Sequence, residues 1–207
     1  LAGRLVGDLY LGLADNIATL PTARIDGAIA RFYQREHDMH LHIFINSPTE
    51  LARAVIDGQL DMAISYFSRT LPTLDYQPLY SEAIGIFCGR HHPLFNVEAP
   101  SLAQLETCDW IKHGFLPADQ VLPVVPRRAS ATAYHMEAVA HGVLAGTHLG
   151  YLPAHYATPW IANGHMRALH PETLHYAVQH SMITHIGHPQ SEAVRAFIDD
   201  LRMEHGR

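Results

Sequence analysis

The sequence predicts an α/β fold built on parallel sheets, and three observations carry that prediction. Strand-like and helix-like stretches alternate from Gly7 to Ser65 in the order strand, helix, strand, helix, strand. Hydrophobic residues make up 48% and charged residues 16% of 207 residues, enough to bury a sizeable core. No apolar run reaches the ~18 residues needed to cross a bilayer.

The elements follow in order. Gly7 to Leu13 is a short, mostly buried strand that ends in the polar turn Asp15-Asn16. Leu20-Pro21 opens a helix, since a proline in the first turn sacrifices no hydrogen bond, and Ile25, Ala28, Ile29 and Phe32 form its apolar stripe. His40 to Ile45 is the second strand. Asn46-Ser47-Pro48 turns into a second helix capped by Ser47 or Thr49, with Leu51, Ala54 and Val55 facing the core and Gly58 at its end. Leu60 to Ser65 is the third strand. Parallel strands need crossovers, so this rhythm places the strands side by side with helices against them. Ligands of open sheets gather at the carboxyl ends of the strands, here Asp15-Asn16, Asn46-Ser47 and Tyr66-Phe67.

The middle of the chain repeats the pattern. Leu79 to Cys88 is strand-like, Ser101 to Leu105 a short capped helix, and Asp109 to His113 a strand. Val121 to Val125 reads as another strand, Tyr134 to Ala145 as a helix, and Leu149 to Leu152 as a strand stopped by Pro153. Leu174 to Ile186 is a long strand, and Ser191 to Met203 an amphipathic helix with Val194, Phe197, Ile198 and Leu201 on one face. Cys88 and Cys108 stand apart without metal-ligand spacing and read as small buried hydrophobes, in keeping with a reducing cytoplasm.

Composition excludes several functions. A net charge of −6, with 14 Lys and Arg spread thinly, leaves no surface suited to phosphates, so any DNA contact lies outside these residues. The start, Leu-Ala-Gly-Arg, has neither an initiator Met nor a secretory layout, so the chain reads as cut from something longer. There is no G-x-S-x-G elbow, no G-x-x-x-x-G-K and no G-x-G-x-x-G after the first strand, which argues against an enzyme or a cofactor. The 17 histidines invite a metal reading through His40-x-His42 and His185-x-x-His188. No carboxylate or thiolate groups with either pair, so no metal site is expected.

Several segments in register resemble the effector domains of LysR-type transcriptional regulators. Gly7-x-Leu9-x-Leu11-Gly12 resembles their first strand, and Leu51 through Gly58 to Leu60-Asp61-Met62-Ala63-Ile64 their L-(x)6-G-x-L-D-[LM]-A-I segment. His92-Pro93-Leu94, Ser101-Leu102-x-x-Leu105 and Ala145-Gly146-x-x-Leu149-Gly150-Tyr151-Leu152-Pro153 resemble later segments, with His148 where the family usually has Gly. The family's N-terminal winged helix-turn-helix is outside this sequence. The resemblance implies two Rossmann-like lobes joined by two crossover strands, as in type II periplasmic binding proteins. Lobe I would comprise residues 1–70 and 173–207, and lobe II residues 71–172. A small effector would sit in the interlobe cleft, and homodimers or tetramers would form through helices of both lobes, those starting near Leu20 and ending near Ala145.

The implied ligand contacts come from the strand-end loops. Asp15 and Asn16 follow the first strand, although Asp15 would repel a carboxylate and can equally serve as a cap. Ser47 and Pro48 open the second helix, where a hydroxyl either caps the helix or meets the ligand. Tyr66 offers an aromatic wall. In lobe II the candidates are His113, Gly114 and Phe115 after one strand, and Ser130, Thr132 and Tyr134 ahead of a helix. Arg127-Arg128 reads as a solvated basic pair. The alternative is a free-standing solute-binding protein of the same fold, which predicts a secretory signal and a monomer.

Overall fold

The computed structural model describes residues 4–35, 37–114 and 120–207. The chain forms two compact units, Leu1–Ser81 with Gln179–Arg207, and Glu82–Val178. The sequence places the divisions at 70/71 and 172/173, whereas both crossings fall later, inside the two longest strands, β4 (Leu74–Gly89) and β9 (His175–His185).

In unit 1, β1 (Leu5–Leu13) pairs in parallel with β2 (His37–Ile45) and β3 (Met62–Tyr66), and β9 runs antiparallel to β3. Both faces of this sheet are covered, as a parallel sheet requires. On one face Leu9, Leu11 and Ile64 pack against α1 (Ile25–Tyr33) and α6 (Glu192–Glu204). There the rings of Phe32 and Phe197 meet edge-on at 5.6 Å. On the other face Ala63 and Ile183 pack against Leu51 and Val55 of α2 (Pro48–Ile56). The Glu204 carboxylate, nearly buried, ties α6 to α1 by accepting from Arg24 at 2.6 Å and Arg31 at 2.8 Å, and the buried Asp200 accepts from Arg35.

In unit 2, β4 is flanked by β7 (Leu149–Pro153) and β8 (Met166–Leu169), both antiparallel to it. Beyond β7 lie β5 (Asp109–His113) and β6 (Arg128–Ala133), with β5 parallel to both of its neighbours. Val139 and Val143 of α4 (Met136–Leu144) cover one face of these strands, against Ile111, Ala133 and Leu152. Two further helices complete the unit: α3 (Leu102–Thr107), whose capping box joins Ser101 and Gln104, and α5 (Ala154–Ala162). Within unit 1 the strand order is β2-β1-β3-β9, and within unit 2 it is β4-β7-β5-β6 with β8 on β4.

Two readings are corrected, and one element is new. The stretch Val121 to Val125 is not a strand: Pro123 and Pro126 remove ladder donors, Val121 and Val125 stay exposed, and the strand that pairs with β5 begins at Arg128. No α-helix opens at Leu20-Pro21. Ile17–Thr19 and Pro21–Ala23 form 3-10 turns, and Arg24, with φ 53°, breaks the chain direction before α1 starts at Ile25. Helix α5 is unanticipated, because Pro153 and Pro159 bracket a stretch with no clear apolar stripe.

Candidate functional site

The loops at the ends of β1, β2 and β3 are held by the fold itself. Ala14 N–H donates to the Ile64 carbonyl at 2.9 Å, which locks the end of β1 to β3. Asn16 sits in the left-handed region at φ 59°, a conformation that Asn tolerates better than most residues, and its Nδ2 donates to Asp15 Oδ2 at 3.0 Å. Ser47 is the N-cap of α2. Its Oγ donates to Glu50 Oε2 at 2.6 Å and accepts from Glu50 N–H at 3.4 Å, while its own N–H donates to the same carboxylate oxygen at 3.0 Å. Pro48 occupies the first turn of the helix. Tyr66 is partly buried, its ring edge-on to His180 at 6.4 Å, and burial pushes its hydroxyl up to about 12.

Unit 2 is arranged differently. Along β5 the side chains alternate, so Ile111 faces α4 while Trp110, Lys112 and Gly114 share the opposite face. Lys112 lies across from Thr132 of β6 in register. Two residues further on, Tyr134 covers Gly114 so closely that a Cβ there would stand 2.4 Å from the ring. With Leu122, Pro126 and Tyr151 these residues enclose a cavity of about 610 Å³, within the usual range of small-molecule sites of roughly 300–1,000 Å³.

The polar atoms of the cavity floor already have protein partners. Trp110 Nε1 donates to the Leu105 carbonyl at 2.9 Å. The Tyr151 hydroxyl donates to Val124 O and accepts from Val124 N–H, both at 2.9 Å, and burial pushes its pKa up to about 12. Buried His113 places Nε2 2.8 Å from the Tyr151 carbonyl, so the imidazole supports the wall. At the rim, Lys112, Thr132 and Tyr134 are exposed, and within the described residues no hydrogen bond or ion pair engages their side chains.

The structure therefore brings four of the expected residues, His113, Gly114, Thr132 and Tyr134, around one cavity. Phe115 lies outside the described residues. Ser130 is turned elsewhere. It is the extra residue of a bulge in β6, and its Oγ donates to Asp109 Oδ2 at 2.7 Å and lies 3.0 Å from His148 Nε2. Hydrogen bonds from Ser130 hold the Asp109 carboxyl below its usual range. Arg127 and Arg128 pair with Glu106 at 2.9 Å and Asp109 at 3.3 Å. Sequence reasoning missed Trp110, Lys112 and Tyr151. The signal was present, since strand alternation puts Trp110 and Lys112 on the face of Gly114.

Comparison with known proteins places this geometry in a family. Residues 2–205 match the LysR substrate binding domain. The HTH-type transcriptional activator BauR of Pseudomonas aeruginosa is 31% identical over 198 residues, covering 94% of this chain and 65% of BauR, so the chain spans about two thirds of that relative. The effector-binding domain of QuiR, solved in complex with shikimate, superposes with a TM-score of 0.80 over 97% of this chain and 98% of its own, at 15% identity. The cofactor-binding domain of the Cbl transcriptional regulator gives 0.76 over 97% and 90%, at 16% identity. These two likenesses concern the fold, which is that of LysR effector-binding domains with their periplasmic-binding-protein-like architecture. The chain belongs to the LysR substrate-binding-domain family and is a ligand-sensing regulatory domain of that family.

Proposed function

We propose that this domain senses a small-molecule effector in the unit 2 cavity, through His113, Gly114, Thr132 and Tyr134. The observation that carries the reading is a cavity of about 610 Å³ whose rim hydroxyls and ammonium have no hydrogen-bond or ion-pair partner among the described residues. Unpaired polar groups around an apolar floor suit recognition of a ligand. Catalysis is not part of the proposal: among the described residues the lining holds no carboxylate to work beside His113 as an acid or base. DNA binding belongs to an N-terminal domain outside these residues, and the whole regulator works in the cytoplasm.

The domain also pairs with a second copy of itself. Strand β2 is the terminal strand of its sheet, and it leaves Ile43, Phe44 and Ile45 exposed in succession. An apolar edge of this kind invites aggregation unless something covers it. A second copy, packed through this edge, α1 and the α4 end near Ala145, covers it in the proposal. Sedimentation of the domain tests the pairing: a dimer that Ile43→Lys with Ile45→Lys converts to a monomer supports it, and a wild-type monomer at high concentration contradicts it.

Thermal shift with a metabolite panel tests the sensing. A true effector at 100 times its Kd stabilises the domain by about 2.7 kcal/mol, and Thr132→Ala weakens that gain. A gain unaffected by Thr132→Ala and Tyr134→Ala places the effector elsewhere.

A further inference from the structure

A second cavity, of about 240 Å³, lies within unit 1, where the turn after α2 meets the segment that joins β9 to α6. It is smaller than the sites of roughly 300–1,000 Å³ that take larger organic ligands. Val55, Leu60 and Val194 close its floor, each at most 5% exposed, so they offer an occupant almost no surface. What the cavity presents is polar: Asp61, Thr184, His185, His188 and Gln190. Asp61 Oδ2 accepts from Tyr10 N–H at 2.8 Å, and among the described residues no cation pairs with the carboxylate. Thr184 is 5% exposed, yet no hydrogen bond among the described residues engages its hydroxyl. Nor does one engage the side-chain amide of Gln190, whose backbone carbonyl accepts from Arg195 at 3.1 Å.

These groups fix the charge of an occupant. Among the described residues no Lys or Arg lines the cavity, whereas the Asp61 carboxylate does. An anion would therefore meet a like charge with no compensation, and a cation would meet a counter-charge. A metal ion fits poorly, since no three His, Cys, Asp or Glu side chains among the described residues converge as one requires. His185 and His188 stack instead, their ring centroids 4.0 Å apart, and His185 Nδ1 already accepts from Gly187 N–H at 2.9 Å. An ammonium group brings several donors and no acceptor. Open to those donors are Oδ1 of Asp61, the Thr184 hydroxyl and the side-chain oxygen of Gln190. The geometry points to a binding site for a small primary ammonium in this cavity, separate from the effector cavity of unit 2. Asp61 supplies the counter-charge, Thr184 and Gln190 accept the remaining N–H donors, and the stacked imidazoles form the wall beside them.

Ethylammonium chloride is the probe, with ethanol as its uncharged counterpart and sodium chloride to hold the ionic strength constant. Titration of the whole domain is followed by NMR on the Thr184 methyl and on the rings of His185 and His188. Ethylammonium should move all three signals and bind about tenfold more tightly than ethanol, the usual scale of a charge-assisted hydrogen bond. Asp61→Asn keeps an acceptor for Tyr10 N–H and should abolish that preference. Thr184→Val keeps the shape of the side chain and should weaken ethylammonium binding several-fold. Equal binding of the two probes, a preference that survives Asp61→Asn, or no shift at any of the three side chains overturns the site. Should Asp61→Asn fail to fold, Thr184→Val decides: wild-type affinity in that variant overturns the site, and a several-fold loss supports it.

Discussion

The two units present the same feature, polar residues where parallel strands end, and use it in opposite ways. In unit 1 the hydroxyl of Ser47 closes a capping box with Glu50, and the amide of Asn16 holds Asp15. In unit 2 no hydrogen bond or ion pair among the described residues engages the side chains of Lys112, Thr132 and Tyr134, which line a cavity backed by Trp110 and Tyr151, whose polar atoms are satisfied. A polar residue at a strand end is thus a ligand contact only after the hydrogen bonds that the fold itself demands have been assigned. Unit 1 uses its polar ends mainly to hold its loops, and unit 2 keeps several of its own available.

Substitutions can break or sharpen this contrast. The largest effect is expected at Gly12, where an added Cβ would stand 2.5 Å from Leu51 and 2.7 Å from Leu60 inside the core. Gly12→Ala should destabilise the domain by about 1–3 kcal/mol through overpacking, measured by urea denaturation. Next comes Ser47→Ala, which should cost about 1 kcal/mol through loss of the α2 cap and leave effector affinity unchanged. Gly114→Ala meets the exposed ring of Tyr134, which can swing aside, so its folding cost should stay below about 0.5 kcal/mol. Its effector affinity should nonetheless fall several-fold, because the moved ring reshapes the cavity mouth; calorimetric titration separates the two.

The smallest effect concerns pH. Burial holds His92 in unit 2 and His205 in unit 1 below the usual imidazole value of 6.5. A depressed imidazole contributes stability that is complete above 6.5 and lost as the pH falls through the folded-state value. Melting temperatures should therefore drop between pH 7 and pH 5, and the drop should be shallower in His205→Gln. An unchanged slope in that variant would assign the loss to other groups.

Much of the fold was legible in the sequence. The stripe Ile25, Ala28, Phe32 and the alternation from Asp109 to His113 give α1 and β5 directly, because local periodicity reports which face is buried. The stretch around Val121 misled because apolar character was weighed above the two prolines that forbid a ladder. Helix α5 escaped because Pro153 and Pro159 interrupt the pattern that would announce it. The site was legible in part. His113, Gly114, Thr132 and Tyr134 follow from strand ends, but the bulge that turns Ser130 toward Asp109 depends on how β6 pairs with β5, a non-local fact. Lys112 was hidden for another reason: its place beside Thr132 on the cavity rim depends on the pairing of β5 with β6, which is again non-local.

The most direct test pairs Ser47→Ala with Thr132→Ala and records melting curves with and without an effector found by the thermal-shift panel. The account predicts that Ser47→Ala lowers the melting temperature of the unliganded domain and keeps the ligand-induced rise, while Thr132→Ala keeps the former and shrinks the latter. The reverse pattern, with the rise lost in Ser47→Ala and intact in Thr132→Ala, would contradict it.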